Sequence, residues 1–133
     1  TGGLLAAALS DRAGASETFR GSVVVYATDL KESLAGVPAP LLAAEGAVSE
    51  QTAGALAAGA RDRLGADWGL GVTGVAGPTE QEGRPVGTVF VAVAGPGGGE
   101  VRRLQLPGER AQVRALSVTY ALDLLRRHLV GKT

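Results

Sequence analysis

Ser16 and Lys31 are the residues best suited to covalent chemistry. The segment Gly14-Ala15-Ser16-Glu17 offers a hydroxyl nucleophile, and fifteen positions later comes an amine that can act as its base. A serine hydroxyl attacks poorly until a base removes its proton. At the ordinary lysine pKa near 10.4, about one molecule in 2,500 is neutral at pH 7, a deficit of roughly 4.6 kcal/mol. Burial and the N-terminal end of a helix both reduce that deficit. Each residue also has a structural reading, Ser16 as a helix cap and Lys31 as a solvated helix residue. Spacing alone does not choose between them.

Further polar groups fall where an α/β protein holds its ligands. Tyr26 ends a β-branched run and can orient a substrate or share a proton network with Lys31. Thr73-Gly74-Val75-Ala76-Gly77-Pro78 can present a hydroxyl and backbone amides to an anion, although a simple tight turn explains it as well. It is neither a P-loop nor a dinucleotide fingerprint. Arg110 and Arg114 stand one helical turn apart at a helix start, where together they can reach a phosphate or carboxylate. Asp67, Glu80 and Glu82 have no glycosidase spacing, and His128 reads as a helix C-terminal residue. There is no histidine cluster, so neither a metal nor another cofactor is expected.

The elements that must position these groups alternate in type. Helices are expected over 4–11 and, after Thr28 or Asp29, toward Leu34, with Lys31 in the first turn of the latter. Others are expected over 50–64, capped by Ser49, and over 110–129. Ser16 is expected to cap a short turn ending near Phe19. Strands are expected at 22–26, 68–73, 86–94 and 101–106, with Pro38 and Pro40 punctuating a connection. The pattern predicts a three-layer α/β/α sandwich around a mixed sheet.

With 133 residues and 45% hydrophobic content, the chain can form one core but not two ordinary domains. Thirteen basic residues balance thirteen acidic ones, so no global field draws it to nucleic acid or an anionic membrane. Cysteine is absent, which excludes disulfides and thiolate catalysis within this segment, and a cytoplasmic location is expected. Thr1-Gly2-Gly3 reads as a strand-to-helix turn, so an earlier strand is expected before it. The final Gly131-Lys132-Thr133 reads as a frayed terminus.

Taken together, Thr1-Gly2-Gly3-Leu4, Gly14-Ala15-Ser16-Glu17-Thr18-Phe19, Val24-Val25-Tyr26 with Lys31, Thr73 to Pro78 and Pro85-Val86-Gly87-Thr88-Val89 resemble the carboxy-terminal domain of CinA proteins and the related nicotinamide mononucleotide deamidases. The resemblance runs from Thr1 to about Leu129 and makes 1–133 a single amidohydrolase-like domain. It implies hydrolysis of the carboxamide of nicotinamide mononucleotide to nicotinate mononucleotide and ammonia. Ser16 would be the nucleophile and Lys31 the base, with Tyr26, Thr73, Gly74 and Gly77 supporting, and Arg110 or Arg114 binding phosphate. It also admits a homodimer and an attached CinA amino-terminal domain. The alternative is a noncatalytic nucleotide-binding or regulatory domain of a larger CinA-like protein, and a third reading is a dimerisation module. The family commonly carries Ala-Glu-Ser-Cys before Thr-Gly-Gly, supplying a first strand and another active-site serine, whereas this sequence begins at Thr1. The family's longer glycine-rich continuation after Gly-Pro is replaced by residues 79–84, which is expected to alter pocket closure or substrate preference.

Overall fold

The computed structural model describes residues 1–131. The expected frayed end at Lys132 and Thr133 lies outside the described residues. Five α-helices run α1 (Leu4–Ser10), α2 (Thr28–Ser33), α3 (Ala39–Glu45), α4 (Glu50–Leu64) and α5 (Arg110–Val130), with a 3-10 turn at Ala15–Glu17. Strands β1 (Gly69–Gly74), β2 (Thr88–Gly95) and β3 (Gly98–Gln105) form one sheet in the order β1-β2-β3.

The central strand organises two cores because its side chains alternate between faces. Val89, Val91 and Val93 meet Val113, Ala121 and Leu124 of α5. Phe90 and Ala92 point the other way, toward Ala53 and Ala57 of α4, Val48 and Val75. Helices therefore cover both sheet faces, giving the expected α/β/α sandwich. The ladders among the described residues are antiparallel throughout rather than mixed.

The difference traces to residues 22–26, which belong to no helix and enter no ladder. Val25 packs beside the cluster of Ala35, Val37 and Leu56, while Val23 and Val24 stay exposed. Strand propensity alone does not form a strand, because an extended segment needs a hydrogen-bonding neighbour. Helix α3 was not expected. Pro38 precedes it and Pro40 occupies its first turn, where a missing N–H costs nothing, so the prolines start a helix rather than interrupt the chain.

Helix α4 starts where Ser49 Oγ accepts the Thr52 amide at 3.1 Å, and ends at Gly65 in the left-handed region. It lies unusually near β1. A Cβ added at Gly69 would collide with the Ala57 carbonyl, and one at Gly71 with that of Ala53. Gly71→Ala is accordingly expected to cost about 1–3 kcal/mol by overpacking, read as a lower urea midpoint at unchanged slope. An unchanged midpoint would mean that the helix does not seat as closely as described.

At the far end of the sheet, His128 Nε2 lies 3.0 Å from Glu100 Oε1, and its ring meets Trp68 edge-on. His128 thus ties the end of α5 to β3, which its position on the helix did not reveal. The basic pairs also have intramolecular partners: Arg102 joins Glu100, and Arg126 and Arg127 share Asp123. Both arginines hold the Asp123 carboxyl below its usual pKa, with the Arg126 hydrogen bond the larger cause.

Candidate functional site

A groove of about 880 Å³ runs between residues 18–26 on one side and 68–77 on the other. Lys31, Tyr26, Thr73, Gly74, Gly77, Arg110 and Arg114 all line it. It follows the free edge of β1, which pairs only with β2 among the described residues. Residues 22–26 and β1 both line it, with no ladder between them.

Lys31 is buried in the last turn of α2, not in its first turn as expected. Its amine donates to the Val25 carbonyl at 2.7 Å and, weakly, to that of Tyr26 at 3.5 Å. Burial pushes the Lys31 pKa down, while Glu82 and then Tyr26 oppose that shift. The direction matches the requirement for a neutral amine, but its cause is desolvation rather than the helix N-terminus.

This lowering links Lys31 to stability. The folded chain releases the proton at a lower pH than the unfolded chain, so stability rises with pH from the folded midpoint up to the ordinary 10.5. Below that window the penalty for the buried charge is present in full. Lys31→Met should remove this dependence. The unfolding free energy of wild type minus variant should therefore rise between about pH 7 and about pH 10. Paired urea titrations check this, and a flat or falling difference would contradict it.

Arg110 and Arg114 do different things. At 2.9 Å the Arg110 guanidinium donates to the Tyr26 hydroxyl and at 2.8 Å to the Gly77 carbonyl, joining α5 to both walls of the groove. Tyr26 is 75% exposed, so this bridge lies at the mouth. Arg114 donates twice to the Thr1 carbonyl, at 3.1 and 2.9 Å, and holds the turn into α1. Lys31 and Arg110 both bond to Tyr26, and with Arg114 they put three cationic side chains in the lining of one groove.

Thr73 is buried, and its hydroxyl donates to the Ala47 carbonyl at 2.7 Å. Its proton is therefore committed to the fold, leaving its oxygen able to accept. The Val75 amide donates to the Thr88 carbonyl at 2.9 Å, so it extends the sheet instead of facing an anion.

Ser16 stands apart from this group. Gly14 holds the N-cap position of the 3-10 turn, and Ser16 lies within that turn, exposed and outside the groove lining. It does not cap the turn as expected, because the positive φ of Gly14 redirects the chain two residues earlier.

Glu82 and Arg84 were missed. Both bond to the backbone of residues 47–48, more than thirty positions away in sequence, so no local pattern announces them. Among the described residues no group of His, Cys, Asp and Glu is placed to hold a metal, and no helix is long and apolar enough to cross a membrane.

The model of the CinA C-terminal domain matches residues 1–129. The chain belongs to this family. A CinA-like protein from Frankia casuarinae is 57% identical over 131 residues, covering 98% of this chain and 30% of that protein. A putative competence-damage inducible protein from Desulforamulus reducens is 51% identical over 132 residues, covering 99% of this chain and 32% of that protein. The chain thus spans about a third of the length of the curated relatives it matches. Among solved structures, the competence damage-inducible protein A of Klebsiella pneumoniae superposes with a TM-score of 0.94 at 35% identity, over 99% of this chain and 83% of that one. A CinA superfamily protein from Escherichia coli gives 0.91 at 32% identity, over 95% and 74%. The sandwich described above is therefore that of CinA C-terminal domains, and the groove can be considered against that family's chemistry.

Proposed function

We propose that this domain binds a pyridine mononucleotide, such as nicotinamide mononucleotide, within a larger CinA-like protein. The observation that carries this reading is that Lys31, Arg110 and Arg114 line one groove, with Lys31 and Arg110 both bonded to Tyr26. A phosphate monoester there would meet the Arg110 guanidinium, suited to planar, charge-assisted hydrogen bonds, with Lys31 and Arg114 adding positive charge nearby. Arg110, at the mouth, would exchange its bond to the Tyr26 hydroxyl for a bond to phosphate, while Tyr26 would face the ring and ribose.

The groove itself suits the strand that the family carries ahead of Thr-Gly-Gly. Such a strand would lie between residues 22–26 and β1, supply both with hydrogen-bonding partners, and make the sheet mixed if it ran parallel to either neighbour. It would also bring a serine close to Lys31.

A second reading is amide hydrolysis, favoured by the lowered Lys31 pKa. Neutral Lys31 would take the proton of Ser16 as its oxygen attacks the amide carbon. The resulting ammonium would return that proton to departing ammonia, and water would then release nicotinate mononucleotide from the acyl-enzyme. This route requires Ser16 to move from its exposed turn to the groove.

Calorimetry and an ammonia assay on the same samples separate the readings. Saturable binding of nicotinamide mononucleotide without ammonia is the expected result for this chain. Ammonia release that disappears in both Ser16→Ala and Lys31→Ala would establish the second reading. Absence of binding would defeat the first.

A further inference from the structure

The loop joining β1 to β2 contains an arrangement that the chemistry above does not use. Ala47 and Val48 are only 3% and 2% exposed, line the groove, and belong to no helix or strand. Buried backbone outside a ladder must find other partners. Here side chains supply all of them. Glu82 accepts the Ala47 amide at 3.0 Å on one carboxylate oxygen and the Val48 amide at 2.9 Å on the other. Arg84 donates to the Val48 carbonyl at 2.7 Å, and Thr73 donates to the Ala47 carbonyl at 2.7 Å. The Arg84 guanidinium also stands 5.2 Å from the Phe90 ring centroid, which anchors the clasp to β2.

Glu82 adopts this position at a conformational cost. Its φ of 54° lies in the left-handed region, where a residue with a Cβ is disfavoured by about 1–2 kcal/mol. The chain is bent so that one carboxylate reaches two adjacent amides.

We propose that Glu82 is a positioning residue of the Lys31 groove: its carboxylate clamps the Ala47–Val48 wall and serves as the acidic neighbour of Lys31. This deepens the binding reading, and rests on it for the claim that the groove is the functional site. Removing the carboxylate would release the wall and leave Lys31 among fewer compensating charges. The charged and titratable groups acting on Lys31 are Glu82 from the β1–β2 loop and Tyr26 from residues 22–26, and Arg110 and Arg114 of α5 line the same groove. Asp29 and Glu32 on α2 itself are exposed. Residues 79–84 thus supply an acid and a base that lock a wall of the groove.

The test uses Glu82→Gln, which retains one acceptor oxygen, and Glu82→Gly, which also relieves the left-handed strain. The Lys31 ammonium is titrated by NMR without ligand; the sequence holds one other lysine, Lys132, and Lys31→Met assigns the signals. Amide exchange at Ala47 and Val48 is measured on the same samples. In both variants the Lys31 midpoint should fall by roughly half a unit, the scale of losing one opposite charge in a partly solvated setting. Exchange at the two amides should accelerate about tenfold or more in Glu82→Gly, the rate equivalent of about 1.4 kcal/mol. An unchanged Lys31 midpoint, or unchanged amide protection in the folded Gly variant, would overturn the proposal. A purely structural clamp would alter exchange but not the lysine titration. Because neither readout requires ligand, a failure here is distinct from a failure of mononucleotide binding, which calorimetry on the wild type reports.

Discussion

Arg110→Ala is expected to weaken nicotinamide mononucleotide binding about 10- to 100-fold, whereas Arg114→Ala is expected to act chiefly through the fold. A hydrogen bond to a charged group contributes about 1.5–3 kcal/mol, and each 1.4 kcal/mol is a factor of ten in Kd. Arg110 already reaches the mouth of the groove, where it bonds to Tyr26 and to the Gly77 carbonyl. Its loss should therefore remove a phosphate contact and also free Tyr26. Arg110→Lys should recover only part of the affinity, because an ammonium cannot reproduce the planar pair of donors. Arg114 is spent on the Thr1 carbonyl, so its removal should lower the unfolding midpoint before it changes the mononucleotide. Calorimetry paired with thermal unfolding separates the two. Equal affinity in wild type and Arg110→Ala would remove phosphate recognition from this end of the groove.

The second large effect concerns the space between residues 22–26 and β1. Extending the chain before Thr1 with a family strand bearing Ala-Glu-Ser-Cys is expected to stabilise it by several kcal/mol. An inserted strand would pair with β1 and with residues 22–26, and each hydrogen bond contributes about 0.5–1.5 kcal/mol net. It would also cover Val23 and Val24, which stand exposed. The checks are the urea midpoint and amide exchange at residues 22–26 and 69–74. A midpoint that stays fixed, with exchange at those positions unaltered, would rule out a strand in this space.

The legible features of the sequence were those with local causes. Ser49 before Glu50 and Gly65 after Leu64 bracket α4, because a cap and a left-handed stop act within a few residues. The apolar run in β2 announced a strand for a similar reason, though not its central place in the sheet. Residues 22–26 have equal β propensity but no ladder, since pairing depends on a distant neighbour. Lys31 lies one or two residues farther into its helix than expected, yet the direction of its pKa shift held because burial, not the dipole, governs it. Arg110 and Arg114 were indistinguishable as an i, i+4 pair, and only tertiary contacts assign one to Tyr26 and the other to Thr1. Glu82 gave no signal because its partners lie on a separate loop.

The most direct test of the cationic groove is an NMR titration that follows the Lys31 amine and the Arg110 guanidinium as ligand is added. Nicotinamide mononucleotide is expected to shift both signals saturably, while nicotinamide riboside, which lacks the phosphate, leaves Arg110 almost unchanged at the same concentration. Equal shifts from the two compounds, or saturable shifts confined to residues outside the groove, would contradict a phosphate site formed by Lys31, Arg110 and Arg114.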